Sequence, residues 1–369
     1  MKLLILDGVD ELLQSSFAEF QQLARHLFLT ALRLKPVSQV WIPIEEYKNL
    51  KDLFVILWAT LAVGFFFQVV QRLFAPIFAS LAGLKYSRSL QRKWNATVKE
   101  FVFYTGSFLL GISNGLFAYE WFTQWFTAFG TTKVTQIIWP SSTNDNPLWT
   151  MEIKAAYMIE TAWYLSSIML LIFVDARKKD FLEMVVHHIV TIVLLVVSVQ
   201  VKHVKIGCII YMLHNISDVF LHSAKLVNYL DYKKAADVLF GTFVIVFFIT
   251  RLVLYPLFVL NTCVREGLYY EGFLPWPEDE TPRMEHSRHE WALVALLSAL
   301  IPIHVYWFGL IVRMIIRMIV TKSSVENDIR SDDEDEAEYD EEDKSDAQDV
   351  PAKATSTGND VGGNVRRRR

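Results

Sequence analysis

Seven blocks of apolar residues, each of bilayer-crossing length, constrain this chain more than any other feature. About 20 residues of helix span the hydrocarbon core. Blocks of that size lie at 52–75, 101–119, 152–174, 181–200, 206–230, 237–261 and 290–320. The first, 53-LFVILWATLAVGFFFQVV-70, and the sixth, 238-VLFGTFVIVFFITRLVLYPLFVL-260, are nearly uninterrupted. Lipid offers no partner to backbone N–H and C=O groups, which a helix satisfies within each block. Runs this long and continuously apolar predict helices, hence an all-α polytopic membrane protein of about seven transmembrane helices. With 53% of its 369 residues hydrophobic, the chain is neither a soluble nor a disordered one for most of its length. Two cysteines, Cys208 and Cys263, exclude a disulfide framework and a cysteine metal cluster.

The net charge of −4 divides unevenly. Residues 326–369 hold 15 acids and 7 bases, and residues 1–325 hold 25 and 29, so a body of +4 carries a tail of −8. Within the body, basic loops alternate. Lys85, Arg88, Arg92, Lys93 and Lys99 follow the first span, whereas only Lys133 occupies 120–151. Later short loops carry 175-DARKKD-180 and the pair Lys233 and Lys234. The positive-inside rule then puts the N-terminus in a lumen or outside and the C-terminus in the cytosol. Asp7 and Asp10 interrupt the apolar start, which predicts no cleaved signal peptide. The expected organisation is an interfacial segment over 1–51 (with helical spacing in 11–34), a first transmembrane helix at 52–75, and a basic cytosolic loop at 76–100. A transmembrane catalytic domain over 101–320 and a disordered acidic tail over 321–369 follow. The tail run 331-SDDEDEAEYDEED-343 cannot build a core, and Ser331 ahead of three acids suits an acid-directed kinase.

Polar residues recur at helical spacing inside four spans. The third carries Tyr157, Glu160/Thr161, Tyr164 and Ser167; the fourth carries His187, His188, Thr191 and Ser198. On the fifth lie His214, Ser217/Asp218, His222, Lys225 and Asn228, and on the sixth Thr250, Arg251 and Tyr255. An aspartate at a span centre costs roughly 2.5–3.5 kcal/mol on insertion scales, so such groups face a protein interior or an aqueous cavity. Four aligned stripes predict helices around one cavity. Imidazoles near neutral pH exchange protons or attack acyl carbons, and a nearby carboxylate stabilises imidazolium. That kit suits acyl transfer without a metal. Nine histidines without an HxxHH or HxxxH box exclude a di-iron centre. Adjacent helical histidines also point about 100° apart, which disfavours zinc. No tightly bound cofactor is expected. His26, His203, His286, His289 and His304 are expected at interfaces or in loops.

The stretch 179-KDFLEMVVHHIVTIVLLVVS-198 followed by 207-GCIIYMLHNISDVFLHSAKLVNY-229, with 157-YMIETAWYLSS-167 upstream and 250-TRLVLYPLFVLN-261 downstream, resembles the ceramide synthase (longevity-assurance) branch of TLC-type membrane proteins. The likeness runs from Trp94 to Met318. It implies N-acylation of a sphingoid base by acyl-CoA in the endoplasmic reticulum membrane, with acyl-CoA as co-substrate. Implied partners are membrane lipids, both substrates, and a homo- or hetero-oligomer with an accessory subunit; nucleic acid is not among them. His187 and His188 match the paired histidines, and His214 and Asp218 match an HDxxD-like element that usually has aspartate where this chain has Asn215. Asparagine there keeps the shape, loses the charge and gains N–H donors.

On that resemblance His214 is expected to carry the acyl group or to attack. Asp218 would orient a neighbouring histidine, and His187 and His188 would serve as base and oxyanion partner. Thr191, Ser217 and Asn215 are motif neighbours. Arg177, Lys178, Lys179, Lys225, Lys233 and Lys234 are candidates for the CoA phosphates. Tyr164 and Glu160 are expected at the cavity, with Arg251 and Tyr255 closing it or pairing with Glu160. Two other readings share the span pattern. A non-catalytic lipid-binding or membrane-protein chaperone needs no paired histidines, and an elongase-like condensing enzyme expects an HxxHH box that this chain lacks.

Overall fold

The computed structural model describes residues 2–31, 41–43, 50–84, 87–112, 148–173, 181–200, 204–270, 273 and 290–321, all within one unit spanning 1–331. In chain order the helices are α1 (Lys2–Ala31), α2 (Leu50–Val69), α3 (Ala75–Leu81), α4 (Arg88–Ile112), α5 (Met151–Phe173), α6 (Phe181–Gln200), α7 (Val204–Tyr229), α8 (Lys233–Phe247), α9 (Asn261–Tyr270) and α10 (Glu290–Thr321). Two three-residue strands, β1 (Trp41–Pro43) and β2 (Leu148–Thr150), pair antiparallel.

Helix α2 shows why the bundle belongs in lipid. Leu53, Leu57, Leu61 and Phe65 recur every fourth residue and are 62%, 48%, 56% and 73% exposed, while Val55, Ile56 and Ala59 on the opposite face are buried. Residues four apart share a helix face, so the exposed set is a continuous apolar stripe that water would not tolerate. Similar outward rows occur on α6 (Leu182, Val186, Ile189, Val193) and α10 (Ile316, Ile319, Val320). Five stretches among the described residues are long and apolar enough to cross a membrane: Leu53–Leu81, Ile153–Phe173, Phe181–Val199, Lys233–Arg265 and Trp291–Val320. The expected span at 101–119 falls on α4 as far as Ile112, residues 113–119 lying outside the described residues, and the one at 206–230 falls on α7. Helix α7 packs against α4, α6, α8 and the stretch following α8, so its neighbours are protein and its sequence need not be uniformly apolar.

Proline shapes two of the long helices. A π-helical turn, Val70–Phe74, joins α2 to α3 just before Pro76, and a π-helical stretch, Phe248–Leu260, contains Pro256 and joins α8 to α9. Proline lacks an N–H and its ring crowds the carbonyl four residues back, and a wider π turn accommodates both. Residues 76–100, expected as a basic loop, instead contain α3 and the first turns of α4. Gly83 (φ 73) lies in the intervening turn, a backbone conformation that suits glycine.

Aromatic packing ties the bundle together. Phe103 of α4 stacks on Trp163 of α5 at 4.0 Å between ring centroids, and Phe67 of α2 meets the same indole edge-on at 4.7 Å. Helix α1 lies against α2 and α5. There Glu19 accepts from Lys154 Nζ at 2.8 Å and pairs with Lys51 Nζ at 2.9 Å.

Candidate active site

The spacing of Tyr157, Glu160, Thr161 and Tyr164 puts all four on one face of α5, and all four are buried. Glu160 and Tyr164 look into a cavity, about 610 Å³ of empty space including its open mouth. Helix α6 adds His187, Thr191 and Ser198 to the wall, and α7 adds Gly207, Tyr211 and His214. The remaining wall is aliphatic, from Leu194 and Leu195 of α6 and from Leu293, Leu297 and Leu300 of α10. Three of the four helices expected around one cavity are therefore there. The fourth wall is the last span, and the sixth stands behind it.

Backbone carbonyls fix the histidine tautomers. His214 Nδ1 lies 2.7 Å from the Ile210 carbonyl and His188 Nδ1 2.7 Å from that of Met184. A carbonyl only accepts, so each Nδ1 carries the hydrogen and, in the neutral ring, each Nε2 keeps a lone pair. The Nε2 of His214 sits 3.0 Å from Nε2 of His304, which is fully buried and donates to it. His187 differs: its Nδ1 is buried with no hydrogen-bond partner, and its ring meets Trp307 edge-on at 5.0 Å and His188 at 5.7 Å.

A second polar group backs His214. Arg251, from the π-helical stretch, donates from Nη2 to Asp218 Oδ2 at 2.6 Å and to the His214 carbonyl at 3.0 Å, with its guanidinium over Phe247. Ser217 Oγ donates to the same carbonyl at 2.9 Å, and Thr191 Oγ1 to the His187 carbonyl at 2.8 Å. A third group joins α4, α5 and α7: Ser107 Oγ donates to Glu160 Oε1, while Asn215 Nδ2 donates to Ser107 Oγ at 2.7 Å and to Glu160 Oε1 at 3.1 Å.

Several expectations need correction. Arg251 does not pair with Glu160, because the Asp218 carboxylate on the adjoining face of α7 takes it. Tyr255 donates to the Leu297 carbonyl at 2.8 Å, bracing α10. Asp218 accepts from Arg251, which also donates to the His214 carbonyl. Lys225 is half-buried further along α7 and is not part of the cavity wall. Lys233 donates to Asn228 Oδ1 at 3.3 Å at the start of α8, and Lys234 is exposed beside it. Arg177, Lys178, Lys179 and Ser331 lie outside the described residues. His304, expected at an interface or in a loop, is instead the partner of His214. Its position inside the apolar run 300-LIPIHVYWFGL-310 is the signal that finds it, by the same cost argument that picks out the other intramembrane histidines.

Residues 93–313 match the TLC domain family, a segment that includes every side chain of the cavity and of the polar groups behind it, from Ser107 to Trp307. The chain belongs to the TLC-domain family. The TLC match begins eight residues before the expected 101–320 domain, in the first turns of α4. Relatives carry the likeness beyond the family level. Ceramide synthase 4 of Mus musculus is 33% identical over 69% of this chain. Ceramide synthase 5 of Homo sapiens is 38% identical over 49%, and ceramide synthase LOH2 of Arabidopsis thaliana 34% over 50%. The TLC-domain chain spans 58%, 43% and 60% of those three proteins' lengths.

Proposed function

We propose that the chain is a ceramide synthase, which transfers a fatty acyl group from acyl-CoA to the amine of a sphingoid base and releases CoA. The observation that carries this reading is a single cavity with imidazole and carboxylate groups at one part of its wall and leucines over the rest. Both substrates join a reactive head to a long apolar tail, and a wall of this mixed character matches both ends in chemistry. Similarity to proteins named ceramide synthase supports the substrate class.

We assign the histidine roles by which ring nitrogens are already engaged. His214 Nε2 is engaged by His304, so acyl attack from that atom requires breaking the imidazole pair first. His187 lines the cavity and has an unpartnered Nδ1, so we assign the reacting ring to His187. Two routes use it. In direct transfer the imidazole takes a proton from the ammonium, the freed amine nitrogen attacks the thioester carbon, the C–S bond breaks, and a second proton passes from nitrogen to the CoA sulfur. In two-step transfer the imidazole displaces CoA to form an acyl-imidazole, and the amine then displaces the imidazole. A mass adduct on His187 after acyl-CoA alone marks the second route. Arg251 and Asp218 act through the backbone of α7, holding His214 in place.

The same reading puts the chain in the endoplasmic reticulum membrane, N-terminus lumenal and C-terminus cytosolic, with CoA approaching from the cytosolic side. Its further partners are membrane lipids and a homo- or hetero-oligomer with an accessory subunit. Membranes containing the chain, given acyl-CoA of varied length and a sphingoid base, are expected to form the N-acyl product. No product at any chain length overturns the proposal.

A further inference from the structure

We infer that Glu160 is the seat of the sphingoid base's ammonium group, held ready for it by Ser107 and Asn215. The inference rests on the proposed acyl transfer and names which side chain receives which substrate.

Glu160 is 1% exposed, yet it lines the cavity shared with His187 and Tyr164. Its two oxygens are treated differently. Oε1 accepts from the Ser107 hydroxyl and from Asn215 Nδ2 at 3.1 Å, whereas Oε2 is buried with no hydrogen-bond partner. A buried carboxylate oxygen left empty is costly, and the cost is removed by a group that brings N–H donors and positive charge. No lysine or arginine is part of the described cavity wall. Of the two substrates only the sphingoid base brings such a group. Its primary ammonium carries three donors and a charge, whereas a thioester has no N–H to offer and the CoA phosphates repel a carboxylate.

The departure from the family pattern at position 215 now has a physical consequence. Asn215 spends its amide N–H groups on Ser107 and Glu160, and Ser107 passes its own hydroxyl hydrogen to Glu160. An ionised aspartate could donate to neither and would set a second negative charge beside the first. In this chain the amide instead aims a single carboxylate and leaves Oε2 for the ligand. Binding the ammonium there also brings the amine to the cavity that His187 lines, where its proton must leave before nitrogen can attack.

The test uses the purified full chain in lipid nanodiscs and two probes: sphinganine, and its triol isostere with the amine replaced by hydroxyl. The wild type is expected to bind sphinganine at least tenfold more tightly than the triol. Glu160→Gln is expected to lose that preference while acyl-CoA binding stays unchanged, a split that a purely structural role would not produce. Glu160→Asp, which keeps the charge but draws it back by one methylene, is expected to retain part of the preference, and it is the variant to read if Glu160→Gln does not fold. A wild type without amine preference, or a Glu160→Gln variant that keeps it, overturns the inference even when N-acyl product forms. Absence of both sphinganine binding and product in the wild type overturns the acyl-transfer reading as well.

Discussion

At the residue scale, the pairing of His304 with His214 divides the labour among the imidazoles. His304 gives its Nε2–H to His214, which keeps the His214 ring in one tautomer and leaves His187 as the cavity-lining imidazole outside that pair. His304→Ala is expected to lower the rate of N-acyl transfer by about 100-fold, near the lower end of what a positioned imidazole contributes. His304→Gln, which supplies an N–H donor from a similar volume, should recover part of that loss; equal loss in both variants would reduce His304 to a packing residue. Gly207 tests the far end of the cavity. A Cβ there would run into Tyr157 Oη, with Cζ 2.8 Å away, and Tyr157 is fully buried and donates to the Val204 carbonyl. Gly207→Ala should therefore cost about 1–3 kcal/mol of stability by overpacking, measured as a lower midpoint of thermal unfolding in detergent. Adding Tyr157→Phe, which removes the clashing oxygen, should restore part of it. His187, His188, His214, Glu160 and Asp218 were legible in the sequence because ionisable groups in apolar runs stand out, whereas His304 was expected at an interface or in a loop. Ser107 was not legible, since one serine in a span is ordinary, and only the fold brings it to Glu160.

At the element scale, α7 shows how burial within a bundle rewrites composition. Its polar residues weaken its signal as a span, yet His214, Asn215 and Ser217 are all buried against neighbouring helices. The identity of the helix behind each polar stripe was not legible for a related reason. Periodicity says which residues share a face but not which helix that face meets, so it leaves open whether Arg251 closes the cavity or pairs with Glu160 and does not reveal Asp218 as its partner. The attachment of α1 makes a separate prediction. Burial pushes the Glu19 carboxyl up, but hydrogen bonds and charge from Lys154 and Lys51 outweigh it and hold the group below its ordinary value of 4.5. A carboxylate lowered on folding stabilises the fold above that ordinary value and loses the contribution as pH falls through the lowered one. Glu19→Gln is expected to cost about 1 kcal/mol at neutral pH, since the site is half open to solvent. The difference from wild type should shrink below pH 4.5. A difference that is flat with pH would show that the ion pairs do not anchor α1.

At the scale of the whole molecule, lipid outside and a lined cavity inside follow from one distribution of residues. Leucines and phenylalanines face outward along α2, while the groups that lipid would penalise most are turned inward, where each has a specific neighbour or faces the cavity. Helical class and membrane residence were legible from block length alone. The fourth wall of the cavity was not, because the last span resembles an ordinary apolar helix apart from His304. We propose that this inward set performs N-acyl transfer with His187 as the reacting ring. The direct measurement mixes the purified chain in nanodiscs with acyl-CoA and sphinganine, and counts free CoA and N-acyl product together. The wild type should release one CoA for each base acylated, and a folded His187→Ala variant should yield neither. Wild-type rates in that variant, or no product from the wild type, would contradict the account.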